Sequence, residues 1–213
     1  MMQPLFRQIH DRFFLTAASH MTHTENLRSI FHARGLLAYN KVNNLPHTDL
    51  SNEDVQRGRS EKIVPPTGRP LHDYVPLYFG LKTPMVACNQ AKNEDLIFLR
   101  FSLDILAHEG VVFTDGNARS NSTKFYLFNG IESLSVLDAK VIQSVKYSTD
   151  PEMKRKKQAE ILVPDFLSID QVHDITTFSN LATEKVLKIM QQFDIKKPLR
   201  ANEGFYFRSN VHI

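Results

Sequence analysis

Apolar residues fall mostly into short runs along this chain, separated by turn-forming residues. Residues 74–79, 85–88, 96–101, 111–113, 124–128, 141–145 and 161–163 read as strands, and 13–17 is apolar enough to be a first one. The helical period shows in fewer places. Leu27, Ile30 and Phe31 fall at i, i+3 and i+4 behind Thr24, which reads as an N-cap, and Gly35 supplies the stop. Ser102 predicts a capped short helix over 103–108, and a last helix over 181–193 carries Val186, Leu187, Met190 and Phe193 on one face. Strands cluster after an N-terminal helix without βαβ alternation, so the pattern predicts an α+β fold. One stretch, 39–70, has no strong period. It is polar, contains Asn43, Asn44, Pro46, Pro65, Pro66, Gly68 and Pro70, and is weakly helical around 52–59. A segment of that length in a compact domain predicts either disorder or a functional covering loop.

Composition narrows the class without naming a function. With 213 residues, 42% hydrophobic and 23% charged, the chain predicts a single globular domain over 1–213 with its core at about 10–195. A net charge of +3 favours anionic partners only weakly, so any nucleic-acid surface must come from local clusters. The single cysteine, Cys88, excludes an intrachain disulfide and reads as a small core residue. No apolar run approaches the roughly 18 residues that span a bilayer, and the first residues lack a signal-peptide core, so a cytoplasmic monomer with no membrane contact is expected.

Familiar cofactor motifs are missing. The glycines form neither GxGxxG nor a Walker A loop, no HExxH or CxxC accompanies His20 and His23, and no GxSxG elbow is present. No metal is therefore expected. The informative segment is 145–164. A loop opening at Thr149, Asp150 and Pro151 leads to four cations, Lys154, Arg155, Lys156 and Lys157, and then through Gln158 and Ala159 to Glu160 at the mouth of an apolar strand. Glutamate is depleted in strands and is seldom buried without a partner. Strand alternation sets Gln158 and Glu160 on one face, an amide beside a carboxylate, with cations upstream that suit an anionic polymer. A solvated loop followed by an edge glutamate is the bland alternative.

Further blocks join this one. They are Thr22, His23, Thr24, Glu25, Asn26 and Leu27; Gly35, Leu36 and Leu37; Leu71, His72, Asp73, Tyr74, Val75, Pro76, Leu77, Tyr78, Phe79 and Gly80; Pro84 and Met85; and Lys157 through Val163. In this order, over about residues 20 to 175, they resemble the DarT toxins, DNA ADP-ribosyltransferases of toxin–antitoxin systems. The resemblance implies an ADP-ribosyltransferase fold, a split and twisted sheet forming a cleft with helices at its periphery. NAD+ would be a substrate there and not a redox cofactor. The acceptor would be a base of single-stranded DNA, thymidine in the best known branch, and a DarG-like macrodomain antitoxin would remove the mark.

By position, Glu160 matches the family's catalytic glutamate, and His23 and Asn26 its NAD-contacting segment. Gly35, Leu36 and Tyr78 are also expected to contact NAD+. The family's loop arginine aligns in two ways: counting from Gly68 and Arg69 favours Arg57, aligning Val55 and Gln56 favours Arg59. Both are kept, with Arg57 preferred and given a catalytic role beside Glu160. Lys154 to Lys157 and Gln158 are expected to track DNA, with His72 beside them and Tyr74 or Tyr78 stacking a base. The alternatives are an RNA 2′-phosphotransferase on the same fold and a single-strand binder without catalysis.

Overall fold

In the computed structural model, which describes residues 3–42, 46–50 and 53–208, helix α1 (Leu5–Phe13) leads into strand β1 (Ala18–His23). A 3-10 turn (Thr24–Asn26) and α2 (Leu27–His32) follow, then β2 (Gly35–Leu37), α3 (Tyr39–Val42), α4 (Glu53–Ser60) and the hairpin β3 (Ile63–Val64) and β4 (Arg69–Pro70). Strands β5 (Tyr74–Tyr78), β6 (Leu96–Phe101), β7 (Val112–Thr114) and β8 (Phe125–Leu127) follow, with α5 (Pro84–Cys88) between β5 and β6. Helices α6 (Ala139–Gln143) and α7 (Pro151–Lys156) precede β9 (Glu160–Pro164), β10 (Phe166–Ser168), β11 (Val172–Thr177), α8 (Asn180–Gln192) and β12 (Leu199–Ala201). The α+β class is as expected. Asn43, Asn44 and Asn52, which the sequence placed in the covering loop, lie outside the described residues.

Eight strands form one sheet in the order β12-β11-β6-β1-β5-β9-β7-β8. Its two halves meet at a seam. Strand β1 pairs with β6 at six positions but with β5 only at Ser19 opposite Tyr78. On its other side β5 pairs fully with β9, setting Tyr78 opposite Glu160. The seam also accounts for a proline in mid-strand: Pro76 has no N–H to give a ladder, and its carbonyl faces His20 across the gap. Alternation along the strands divides the apolar side chains between two layers. Val75 and Leu77 of β5, Ile97 and Leu99 of β6, and Ile161 and Val163 of β9 share one core that runs beneath both halves. The opposite face carries two separate clusters, one around Met21, Phe98 and Tyr206, the other around Leu71, Tyr74 and Leu162. The cleft opens between them.

Several expected elements differ, each for a local reason. Residues 85–88 and 141–145, read as strands, are α5 and α6. Pro84 occupies the first turn of α5, and Asp138 accepts from the Val141 amide to cap α6. The expected strand at 13–17 is the end of α1 and a loop: Phe14, at φ 58°, terminates the helix in the left-handed region, and the strand starts at Ala18. Thr24 is not the cap it was read as; His23 takes that place, its Nδ1 accepting from the Glu25 amide. Cys88 is exposed and not in the core. The cationic run does not lie on a mobile loop: Lys154, Arg155 and Lys156 sit in α7, capped by Asp150.

Candidate active site

The cleft holds a cavity of about 230 Å³ over the seam. Its floor comes from β1 and β5 through His20, Thr22, Pro76 and Tyr78, one wall from Gly35, Leu36 and Tyr39, and its roof from Val55, Gln56 and Arg59 of α4. Gly35 is required where it stands. A Cβ there would lie 2.4 Å from the Leu167 carbonyl oxygen, so β2 could not pair with β10.

Glu160 opens β9 and is fully buried. A buried carboxylate needs donors. Oε1 accepts from the Ala118 amide at 2.9 Å, and Arg59 Nη1 reaches both oxygens at 3.1 and 3.2 Å. The Arg59 side chain is 11% exposed. Burial works against its charge, but the adjacent Glu160 carboxylate more than offsets this, so the guanidinium's pKa lies above its ordinary value. Burial, and then Glu160, push the Tyr78 phenol upward, keeping it neutral. Burial lowers the pKa of His20, whose Nδ1 lies 3.0 Å from the Pro76 oxygen. That nitrogen therefore carries the proton and donates, leaving Nε2 an acceptor. His72 is lowered by burial and then by Arg59; it packs on Tyr39 at 4.3 Å and its Nε2 is 3.1 Å from Gln56 Oε1 on the roof helix.

On the far side of Glu160 lies an open depression of about 530 Å³ lined by polar groups, among them Asn117, Arg119, Asn121, Lys154 and Gln158. The loop 115–123 separates it from the cleft and abuts the roof: Lys62 donates to Asn121 at 3.1 Å, and the Arg119 side chain crosses α4 at Gly58. A Cβ on Gly58 would come within 2.5 Å of Arg119 Nε.

Residues 19–207 match the family model described as "ssDNA thymidine ADP-ribosyltransferase, DarT". The chain belongs to the DarT family. It is similar to a "DNA ADP-ribosyl transferase" of Thermus sp. (strain 2.9), 33% identical over 188 residues covering 84% of this chain and 88% of that one. Two solved structures of a Thermus sp. 2.9 DarT, each 29% identical and covering 91% of this chain, superpose well. One, "in complex with ADP-ribosylated ssDNA", has a TM-score of 0.83 with 97% of that chain covered; the other, "in complex with NAD+", has 0.77 with 98% covered. A "DNA ADP-ribosyl transferase-DNA ADP-ribosyl glycohydrolase fusion protein" of Thermosipho africanus is 25% identical across 100% of this chain and 52% of its own length.

In this DarT-family chain the structure sorts the residues singled out by sequence. It brings Arg59, not Arg57, to Glu160. Arg57 is 71% exposed and pairs with Asp54 on the outer side of α4. His20, read only as a failed metal partner, lines the cleft; His23 does not. Asn26 lines it too, and its amide donates to Thr22 Oγ1 and the Thr48 carbonyl and accepts from the Thr48 amide, so it pins the segment 46–50 against the cleft. Tyr74 is buried at the edge of the cleft, with its hydroxyl on Thr67. The cations also divide: Lys154 lies over the Tyr147 ring and lines the depression, Arg155 bonds Glu152, Asp115 and Thr123, Lys156 bonds Asp138, and Lys157 is buried against the Ser144 carbonyl. Gln158 lies in the turn after α7 and not beside Glu160; it accepts from Asn117 and donates to the Lys154 carbonyl. Thr114, Tyr39 and the Ala118 amide were missed, and a backbone amide carries no signature in sequence. Among the described residues, no cluster of His, Cys, Asp and Glu could hold a metal, and no helix is long and apolar enough to cross a membrane.

Proposed function

We propose that this chain, as a single ADP-ribosyltransferase domain, is a toxin that transfers ADP-ribose from NAD+ to thymidine in single-stranded DNA and releases nicotinamide. One observation carries the assignment of residues: a fully buried carboxylate, Glu160, is held on one side by Arg59, which lines the cleft, and on the other by the amide of Ala118, whose neighbours Asn117 and Arg119 line the open polar depression. The NAD+ and ADP-ribosylated DNA complexes of the similar Thermus protein support NAD+ as donor and single-stranded DNA as acceptor. NAD+ occupies the cleft and the DNA strand the depression, so Glu160 and Arg59 stand where donor meets acceptor.

Cleavage of the nicotinamide–ribose bond passes through an oxocarbenium-like state. Glu160 accepts a hydrogen bond from the ribose 2′-hydroxyl and stabilises positive charge that grows only in the transition state. His20, neutral with Nε2 as acceptor, orients the donor ribose or carboxamide from the floor of the cleft. Arg59 holds Glu160 until substrate arrives; its remaining donors then face a phosphate or the thymine O. The attacking thymine nitrogen forms the new glycosidic bond and loses its proton. Because Arg59 is held charged, the Glu160 carboxylate is the acceptor for that proton in this arrangement. Thymine's reacting edge is its pairing edge, hence the need for a single strand. Lys154 and Arg119 supply charge along the depression. The Thermosipho fusion, which joins the transferase to a glycohydrolase in one chain, supports a DarG-like antitoxin as partner here. A cytoplasmic location, where NAD+ and DNA coexist, accords with this reading.

The test is to incubate the protein with NAD+ and a single-stranded oligonucleotide and weigh the product. One added ADP-ribosyl group, absent when thymidine is replaced, is the expected result. Loss of a 2′-phosphate from a suitable RNA, or a mobility shift without mass change, would overturn it.

A further inference from the structure

Glu160 has a difficult position to keep. Arg59 bonds both its oxygens, and a carboxylate free to rotate would settle wholly onto that guanidinium and turn away from the ribose. The Ala118 amide, on Oε1 at 2.9 Å, is the restraint against this. One buried hydroxyl ties the loop that carries this amide to the Glu160 backbone. Strand β7 pairs with β9 at Val112 opposite Leu162 and Phe113 opposite Ile161, and the ladder then stops. At the next position the Thr114 side chain replaces it. Thr114 is fully buried; its Oγ1 accepts from the Glu160 amide at 2.9 Å and donates to the Gly116 carbonyl at 2.6 Å. Two residues beyond Gly116 is Ala118. The hydroxyl therefore ties the backbone of Glu160 and the loop that grips its carboxylate to a single point.

The rest of the loop is fastened independently. Arg155 bonds Asp115 and Thr123 at 2.9 and 3.1 Å, and its carbonyl accepts from the Asn117 amide. Gly116 leaves room for this, since a Cβ there would lie 2.4 Å from Arg155 Nη1. Arg155 fixes the loop at Asp115, Asn117 and Thr123, and among the described residues Thr114 is the side chain that joins it to the Glu160 backbone.

We propose that Thr114 is a positioning residue for the reaction, acting through the Glu160 backbone and the Ala118 amide to keep the carboxylate aimed at the donor ribose. This rests on Glu160 being the catalytic carboxylate. The affected quantity is turnover and not donor binding, because Thr114 does not line the cleft and a misplacement near 1 Å costs roughly 10²-fold in rate.

Thr114→Val keeps the shape and removes the hydroxyl; Thr114→Ser keeps the hydroxyl. Transfer to a thymidine-containing single strand is measured for both and for Glu160→Gln, with kcat and the KM for NAD+ separated. Thr114→Val is expected to lower kcat about 10- to 100-fold with KM changed less than about 3-fold, and Thr114→Ser to restore kcat to within about 3-fold of the unmodified protein. Should the valine variant fail to fold, Thr114→Cys, a small side chain with a poor donor, is measured against the same expectations. A kcat that stays within about 2-fold, whether or not the melting temperature falls, makes Thr114 structural only and overturns the proposal, as does a serine variant that fails to restore it. If Glu160→Gln is inactive while Thr114→Val is normal, this inference alone falls. If Glu160→Gln is fully active, the reading of the site falls with it.

Discussion

Removing Arg59 separates the two readings of the loop arginine and can be worked through from the structure. Arg59→Ala leaves Glu160 fully buried with the Ala118 amide as its remaining side-chain donor. Breaking one side of a buried ion pair costs about 3–5 kcal/mol. Water can enter the cleft in place of the guanidinium, so the low end, about 3 kcal/mol, applies. At about 2–4 °C per kcal/mol for a chain of this size, the melting temperature should fall by roughly 6–12 °C. Arg57→Ala loses only an exposed pair with Asp54, worth about 0.3–0.5 kcal/mol, and should shift melting by no more than about 2 °C. Transfer, followed by oligonucleotide mass, should drop at least about 10²-fold in Arg59→Ala and stay within about 2-fold in Arg57→Ala. Combining Arg59→Ala with Glu160→Gln should cost less stability than the sum of the two, since either alone strands a charge. An Arg59→Ala protein that melts and transfers normally, or an Arg57→Ala protein that does not transfer, refutes the argument.

Glu160→Ala should lower turnover by about 10²-fold or more while the KM for NAD+ stays near normal; a variant with ordinary turnover would remove Glu160 from the chemistry. Single-stranded DNA should be modified and matched duplex hardly at all, because flipping a paired base costs a few kcal/mol, so equal rates on both would contradict the assigned acceptor site. Lys154→Ala should reduce the salt dependence of DNA binding by about one phosphate contact, and Lys156→Ala should not; identical slopes for all three proteins would detach Lys154 from the strand. Lys157 provides a test against pH: burial, then the charge of Lys82, push its ammonium down to about 8. Its folded value lies below the unfolded one, so between about pH 8 and 10.5 the unfolded chain binds the extra proton and the stability contribution rises with pH, by up to about 3 kcal/mol. Denaturation midpoints of the unmodified protein and Lys157→Met should diverge across that window, and parallel curves would show that Lys157 does not titrate there.

What could be read in the sequence was set by how each element announces itself. Strands β5, β6 and β9 show in their apolar positions, and Glu160 at the head of β9 stood out because a glutamate there conflicts with its surroundings. The errors came where two local signals compete. Residues 85–88 and 141–145 are apolar enough for strands, but Pro84 and Asp138 start helices there. The choice of Arg57 over Arg59 has a similar origin. With 39–70 treated as a loop, counting from Gly68 and Arg69 was preferred over the alignment through Val55 and Gln56. Once Glu53–Ser60 is a helix, each residue turns by about 100°, so Arg57 and Arg59 point to opposite sides, and Val55, Gln56 and Arg59 share the one that faces the cleft. The charge run misled for another reason: four consecutive cations on a helix are distributed around it, and here the second to fourth find structural partners.

The seam between β1 and β5 has a mechanical meaning. A single rung joins the half-sheets there, so the load between them passes through the apolar layer beneath, where Leu77, Leu99 and Ile161 meet. The width of the cleft is thus a property of packing volume, held like the gape of a clothes-peg by its spring and not by its jaws. Affinity for the donor can consequently drift by methyl-sized changes in residues that never touch it, while the groups that perform the transfer stay as they are.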